Sequence, residues 1–310
     1  MRWTFKPLLT FVLGIGALGI GPLGIGAVPL SARWESGEVP NPAGQDESKA
    51  RLKPVAASPD IPSHGAEFDA QAEQQILELA NRSRQQASEP LLSMDSGLSH
   101  AARVHAQAMF EARQLSHQFD GEPSLPKRLA AATTLQLDQE GENVALDTDP
   151  AQAEQHLMLS PPHRANLLNA AYNVVGMGVV RSGDRLYVVQ DFGHALPNYS
   201  LTEVKDRIAS AVQQTRHNGN AAELPRHDLA TADDAACSMA QADKLQTAAV
   251  HQLAQHYTVL TFTSLHPETL PTGSERAIGG HNPRSFSIGA CYARTETYPT
   301  GVYWVVLSLE

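Results

Sequence analysis

The chain has 310 residues, 42% of them hydrophobic and 18% charged, which is ordinary globular composition at a length sufficient for two compact domains. A formal charge of -10 without any run of lysine or arginine lacks the footprint that binding a phosphate backbone needs, so nucleic acid is not an expected partner. Cys237 and Cys291 permit one disulfide at most, which excludes a scaffold built from disulfides.

The amino terminus reads as a targeting segment over residues 1–32, with Arg2 and Lys6 ahead of an uncharged apolar run from Leu8 to Leu30. The run is long enough to span a bilayer if it stays attached, since about 20 apolar residues suffice. Pro22 and Pro29 interrupt a spanning helix and favour an export signal over an anchor. Either reading puts the body outside the cytoplasm, secreted or tethered, with the membrane a partner only through this segment. Gly14-Ile15-Gly16-Ala17-Leu18-Gly19 matches the dinucleotide fingerprint in letters alone, because no strand, turn and helix surround it. Residues 33–66 are rich in Pro, Ser, Gly and charge and read as a flexible linker.

Order is expected over 67–197. Ile76, Leu77, Leu79 and Ala80 give one helical face, and Leu98, Ala101, Ala102, His105, Ala108, Met109 and Ala112 recur at helical spacing with an apolar stripe that must face a core. Helices are expected over Leu125–Leu135 and Pro150–Leu159, and Ser160-Pro161-Pro162 then breaks the chain before a short turn at His163–Leu168. Val174–Val180 and Arg185–Phe192, separated by Ser182-Gly183-Asp184, read as a hairpin. Helices on both sides of a small antiparallel sheet make an α+β fold, an α-β-α sandwich. Over 198–310 the pattern starts again, with Ile208–Arg216, a helical stripe from Leu229 to Ala240, and a second hairpin of Ile288–Tyr292 and Val302–Leu307, so an internal repeat is expected.

The residues best suited to chemistry lie in three stretches: Leu115-Ser116-His117-Gln118-Phe119, Gly141-Glu142-Asn143-Val144-Ala145, and Ser160-Pro161-Pro162-His163-Arg164-Ala165-Asn166, followed by Val175-Gly176-Met177-Gly178-Val179. Together they resemble the bacterial branch of the CAP superfamily, the SCP-like domains of cysteine-rich secretory, antigen 5 and pathogenesis-related proteins. The resemblance implies a CAP domain at 67–197, a degenerate CAP-like repeat at 198–310 that lacks the motifs, and one cleft in which His117, Glu142 and His163 converge, with Ser160, Asn143 and Asn166 around it. The second glutamate of eukaryotic members is replaced by Ser160, and their tryptophan just upstream by Leu157. Cys237 and Cys291 would meet if the repeat folds like the first copy, and outside the cytoplasm a disulfide is expected.

Two imidazoles and a carboxylate could hold a divalent metal, zinc or calcium, through His117 and His163. They could also exchange protons as an acid and base set, or hold a loop against a helix. His105, on an apolar helical face, is expected to be a core histidine, and His100 and His156 to be solvated. The expected function is extracytoplasmic binding of a lipid, glycan or protein ligand at the His-Glu-His cleft. The alternative is a secreted hydrolase using the same three residues, for which no nucleophile motif is visible.

Overall fold

The computed structural model describes residues 9–12 and 67–310; the remainder of the stretches expected to be an export segment and a linker lies outside the described residues. In chain order, the elements of the first half are β1 (Leu9–Val12), β2 (Glu67–Phe68), α1 (Ala70–Gln86), β3 (Ser93–Met94), α2 (Ser96–Ala112), α3 (Leu125–Ala132), β4 (Leu137–Asp147), α4 (Pro150–Leu159), α5 (Pro161–Leu167), β5 (Val174–Ser182) and β6 (Arg185–Ala195). Those of the second half are α6 (Leu201–Asn218), α7 (Ala230–Ala242), α8 (Ala248–Leu253), β7 (Thr258–Ser264), α9 (Glu275–Ile278), β8 (Phe286–Ala293) and β9 (Val302–Leu309).

Local chemistry sets the helix ends. Asp69 accepts the Ala72 N–H to open α1, Asp95 accepts the Leu98 N–H to open α2, and Asp149 accepts from Ala151 and Gln152 to open α4, each satisfying donors that have no intrahelical partner. α2 stops at Arg113, which turns left-handed at φ 52°. α5 starts directly after α4 because Pro161 and Pro162 cannot donate to the preceding turn yet suit the first positions of a new helix.

The first sheet runs β2-β5-β6-β4, with β3 added in parallel to β5. One face carries Val175, Met177, Val179, Leu186, Val188 and Phe192 against Ile76 and Ala80 of α1, Leu157 of α4 and Leu167 of α5. Val144, Val180, Tyr187 and Val189 point the other way, onto Ala102, Ala106 and Met109 of α2. This is the α-β-α order expected. The strand β4 was not: its Leu-Asp-Gln-Glu-Gly-Glu-Asn run shows little apolar alternation, because Glu140, Glu142 and Asn143 occupy three of its seven buried positions. It forms all the same, paired to β6 from Leu137↔Ala195 to Asp147↔Leu186.

In the second half β8 and β9 pair antiparallel, β7 adds to β9, and β1 adds to β7. α6 covers one face through Val204, Ile208 and Val212, while α7 and α8 cover the other through Ala232, Ala236, Met239 and Val250. Cys237 of α7 and Cys291 of β8 are joined by a disulfide, with Cα atoms 5.0 Å apart. The halves share hydrogen bonds: Arg294 donates to the carbonyls of Ala130, Thr133 and Leu135, and Thr300 donates to the Leu137 carbonyl. Among the described residues no helix is long and apolar enough to cross a membrane.

Candidate functional site

β4 is the last strand of its sheet, so loops from both helical layers can fold around its open edge. His117 arrives from the loop after α2, and His163 from α5 in the opposite layer. Their rings lie 6.3 Å apart between centroids, inclined at 38°. His117 is largely exposed, and its Nδ1 lies 2.8 Å from Glu142 Oε1, which accepts from it, so Nε2 is the ring nitrogen turned away from the carboxylate. Burial first, and the neighbouring His117 second, lower the pKa of His163 below the ordinary histidine value, so its imidazole is neutral at neutral pH.

Glu142 sits beneath them, 7% exposed, on the face of β4 turned toward α2 and α3. Its Oε2 accepts from the Arg128 guanidinium of α3, and Arg128 also donates to the His117 carbonyl at 3.2 Å. Both carboxylate oxygens are therefore engaged, one orienting His117 and one neutralising Arg128. Gly141, just before it, must be glycine: a Cβ there would stand 2.4 Å from the Tyr172 hydroxyl.

Asn143 and Asn166 face inward and build the support. Asn166 Nδ2 donates to the Glu142 carbonyl at 3.1 Å and to Asn143 Oδ1 at 3.0 Å. Asn143 Nδ2 donates to the His163 carbonyl and to Gln190 Oε1, both at 3.1 Å, and Gln190 Nε2 continues to Glu154 Oε2 at 3.3 Å. Ser160 is the shared cap between α4 and α5: its N–H donates to the His156 and Leu157 carbonyls, and its hydroxyl makes no cap hydrogen bond. Nothing in this geometry puts the hydroxyl at the cleft.

Several members of the network escape sequence reasoning. His105 is fully buried as expected of a core histidine, yet its Nδ1 meets Glu122 Oε1 at 2.6 Å and its Nε2 the Ser116 carbonyl at 2.9 Å. Asp191 stands directly across from Glu142 in the β4–β6 register, wholly buried, with neither oxygen hydrogen-bonded to a protein donor. Burial and the adjacent Glu142 charge raise its pKa well above the carboxylate range, so it is held neutral. A signal was present: Gln190-Asp191 interrupts an otherwise apolar strand. Arg128 and Glu122 offered none, since a helix-borne arginine and a loop glutamate ordinarily face water. His100 is exposed, and His156, largely exposed, pairs with Asp147 at 2.6 Å.

The cleft offers a metal two imidazoles, with Glu142 already spent in fixing one of them. Among the described residues no group of three or more metal-ligating side chains is assembled. That donor set suits a nitrogen-seeking ion such as zinc, completed by water or ligand, and does not suit calcium, which needs six or more oxygens. Beside His163, α4 and α5 also bound a groove of about 350 Å³ lined by Met158, Leu159, Pro161, Arg164, Ala165 and Leu168.

An α-β-α sandwich with two histidines and a buried glutamate at one sheet edge defines the class. Residues 77–192 match the family model described as the cysteine-rich secretory protein family, and the chain carries a CAP-superfamily domain. It is 29% identical over 143 residues to the protein YkwD of Bacillus subtilis, a match spanning 46% of this chain and 55% of that one. It is 34% identical over 122 residues to the membrane protein YlbC of the same organism, spanning 39% and 34%. A crystal structure of an extracellular SCP-domain protein from Bacillus anthracis aligns at 31% identity and TM-score 0.37, covering 40% of each chain. The chain thus spans about half the length of YkwD and about a third of that of YlbC.

Proposed function

We propose that this is an exported binding protein whose CAP domain presents His117 and His163 to a ligand at the edge of β4, with zinc as the simplest ion the pair can hold. The observation that carries the reading is the placement of Glu142. A general base works where its carboxylate can reach the substrate, and here Glu142 is buried beneath the histidines with one oxygen on His117 and the other on Arg128. The hydrolase alternative would need that carboxylate free and a nucleophile near it. Glu142 instead locks the His117 tautomer from behind, the usual role of a carboxylate supporting a metal-facing imidazole. Export is supported by the disulfide, which persists outside the reducing cytoplasm, and by the basic and apolar amino terminus. The ligand class stays as expected from sequence: a lipid, glycan or protein surface.

Calorimetric titration with zinc tests the site. His117→Ala and His163→Ala should each abolish the heat of binding, whereas Asn166→Asp, which alters the support and leaves both imidazoles, should weaken it less. No binding heat in the unaltered protein, together with melting unchanged by chelator, would remove the metal from the proposal.

We further infer that residues 198–310 are a second, degenerate copy of the same domain. Asn81 clasps the Leu92 backbone as Gln213 clasps Leu224, and Arg84 caps the carbonyls of Pro90, Leu167 and Asn169 as Arg216 caps those of Ala222, Ile278 and Gly280. Gly178 lies against Ala102 as Gly289 lies against Ala232, and Arg113 and Asp243 both end their helices left-handed. By strand register the place of Glu142 falls to Val259 and that of Asp191 to Ser308. The second copy thus carries the frame without the charges. An experimental structure in which α6 and α7 did not superpose on α1 and α2 once the strands were overlaid would overturn the inference.

A further inference from the structure

The two sheets differ at their open edges. β4 ends its sheet with Asp138, Glu140, Glu142 and Asp147 in its sequence, and charges on an edge discourage pairing with another chain. β7 reads Thr-Val-Leu-Thr-Phe-Thr-Ser, with no charge, no proline and no glycine, in residues that favour extended backbone. Its edge is covered by β1, which lies antiparallel along it with Leu9↔Phe262, Thr10↔Thr261, Phe11↔Leu260 and Val12↔Val259.

The covering strand repeats the strand it covers. Leu9-Thr10-Phe11 and Leu260-Thr261-Phe262 are the same tripeptide, and their register is centred on threonine opposite threonine. An antiparallel pairing of this kind is self-complementary. If β7 of a second copy replaced β1, Thr261 would again face Thr261, and Leu260 and Phe262 would exchange partners across a twofold axis. That is the isologous arrangement a symmetric dimer requires. The sequence of β1 lies inside residues 1–32, and the proposal rests on reading them as an export signal, whose removal would bare the edge.

We propose that β7 is a strand-accepting edge, covered within the whole chain by Leu9–Val12 and, once that segment is removed, by β7 of a second copy paired about Thr261. The recognition is main-chain hydrogen bonding along an edge, a known mode of strand addition. The leader then acts as a cover that keeps the chain monomeric until it is cut away.

The test uses the full chain with a protease site placed between Ser31 and Ala32, folded first and then cut, with mass followed by light scattering across micromolar to millimolar concentration. The uncut chain should be monomeric, and the cut chain purified free of its leader should double in mass. Thr261→Lys sets two ammonium groups against each other across the axis and should hold the cut chain monomeric. A synthetic peptide of residues 6–14, in excess, should return the unaltered cut chain to monomer. A leader-free chain that stays monomeric, an uncut chain already dimeric, or a dimer indifferent to the peptide would each overturn the proposal. Should Thr261→Lys fail to fold by circular dichroism, the peptide arm decides alone. None of these readouts depends on the cleft.

Discussion

Glu142 and Asp191 face each other across β4 and β6, yet they carry opposite consequences for stability. Glu142 is ion-paired with Arg128, which keeps Glu122 at 3.4 Å and the His117 carbonyl when that partner is lost, so Glu142→Gln should cost about 2 kcal/mol. Asp191 is already neutral, and Asp191→Asn should change stability by less than about 1 kcal/mol. Urea unfolding of the two variants measures the contrast, and equal losses would refute the charge assignment. Glu140 and Glu154 add a pH dependence. Burial raises both from the ordinary 4.5 to about 7, with the Asp138 charge assisting at Glu140. Each therefore binds its proton more tightly folded than unfolded, so its contribution is full below pH 4.5 and is lost as pH rises to about 7. The loss is on the order of 3 kcal/mol for each group. His163 acts in the opposite sense, because a lowered histidine loses stability as pH falls. The measurement is therefore a difference: Glu140→Gln and Glu154→Gln should each stabilise the protein at pH 8 more than at pH 5, read by thermal melting.

At the scale of elements, α1 and α5 are coupled by one side chain. Arg84, fully buried, reaches from the end of α1 to the carbonyls of Pro90 at 2.6 Å, Leu167 at 2.8 Å, Asn169 at 3.0 Å and Tyr172 at 3.1 Å. It holds the end of the turn that presents His163. Arg84→Ala would leave several buried carbonyls without a donor and open a cavity, so a loss of at least about 3 kcal/mol is expected. Zinc affinity should fall with it although no ligand is touched. Retained stability would show that water replaces the guanidinium. The helices themselves were legible in the sequence: α1, α2 and α4 lie over the stretches expected to be helical, and the structure adds Asp69, Asp95 and Asp149 as their caps. β4 was not, because its inward positions hold Glu140 and Glu142, and the partners of Glu142, Arg128 and His117, come from outside the strand.

For the whole molecule, the hydrogen bonds from Arg294 and Thr300 to the first half and the disulfide within the second predict one cooperative unfolding transition. Reducing the bond between Cys237 and Cys291, which closes a sequence separation of 54 residues, should lower stability by about 4 kcal/mol on the loop-entropy model without changing the zinc titration. Calorimetry with and without reductant reads both effects. A biphasic melt in the oxidised protein would show the halves to be independent.

Apolar spacing, turn residues and proline breaks are local properties, and they sufficed to determine the helical layers, the closing hairpins and the class of fold from sequence. The motif residues His117, Glu142 and His163 were legible for the same reason, each lying in a short recognisable stretch. How they are paired was decided only by tertiary structure. Arg128 reaches across to the Glu142 carboxylate, and burial beside that charge raises the pKa of Asp191. Those effects arise from charge and desolvation between residues brought together across the sheet, and no local pattern encodes the distance between them.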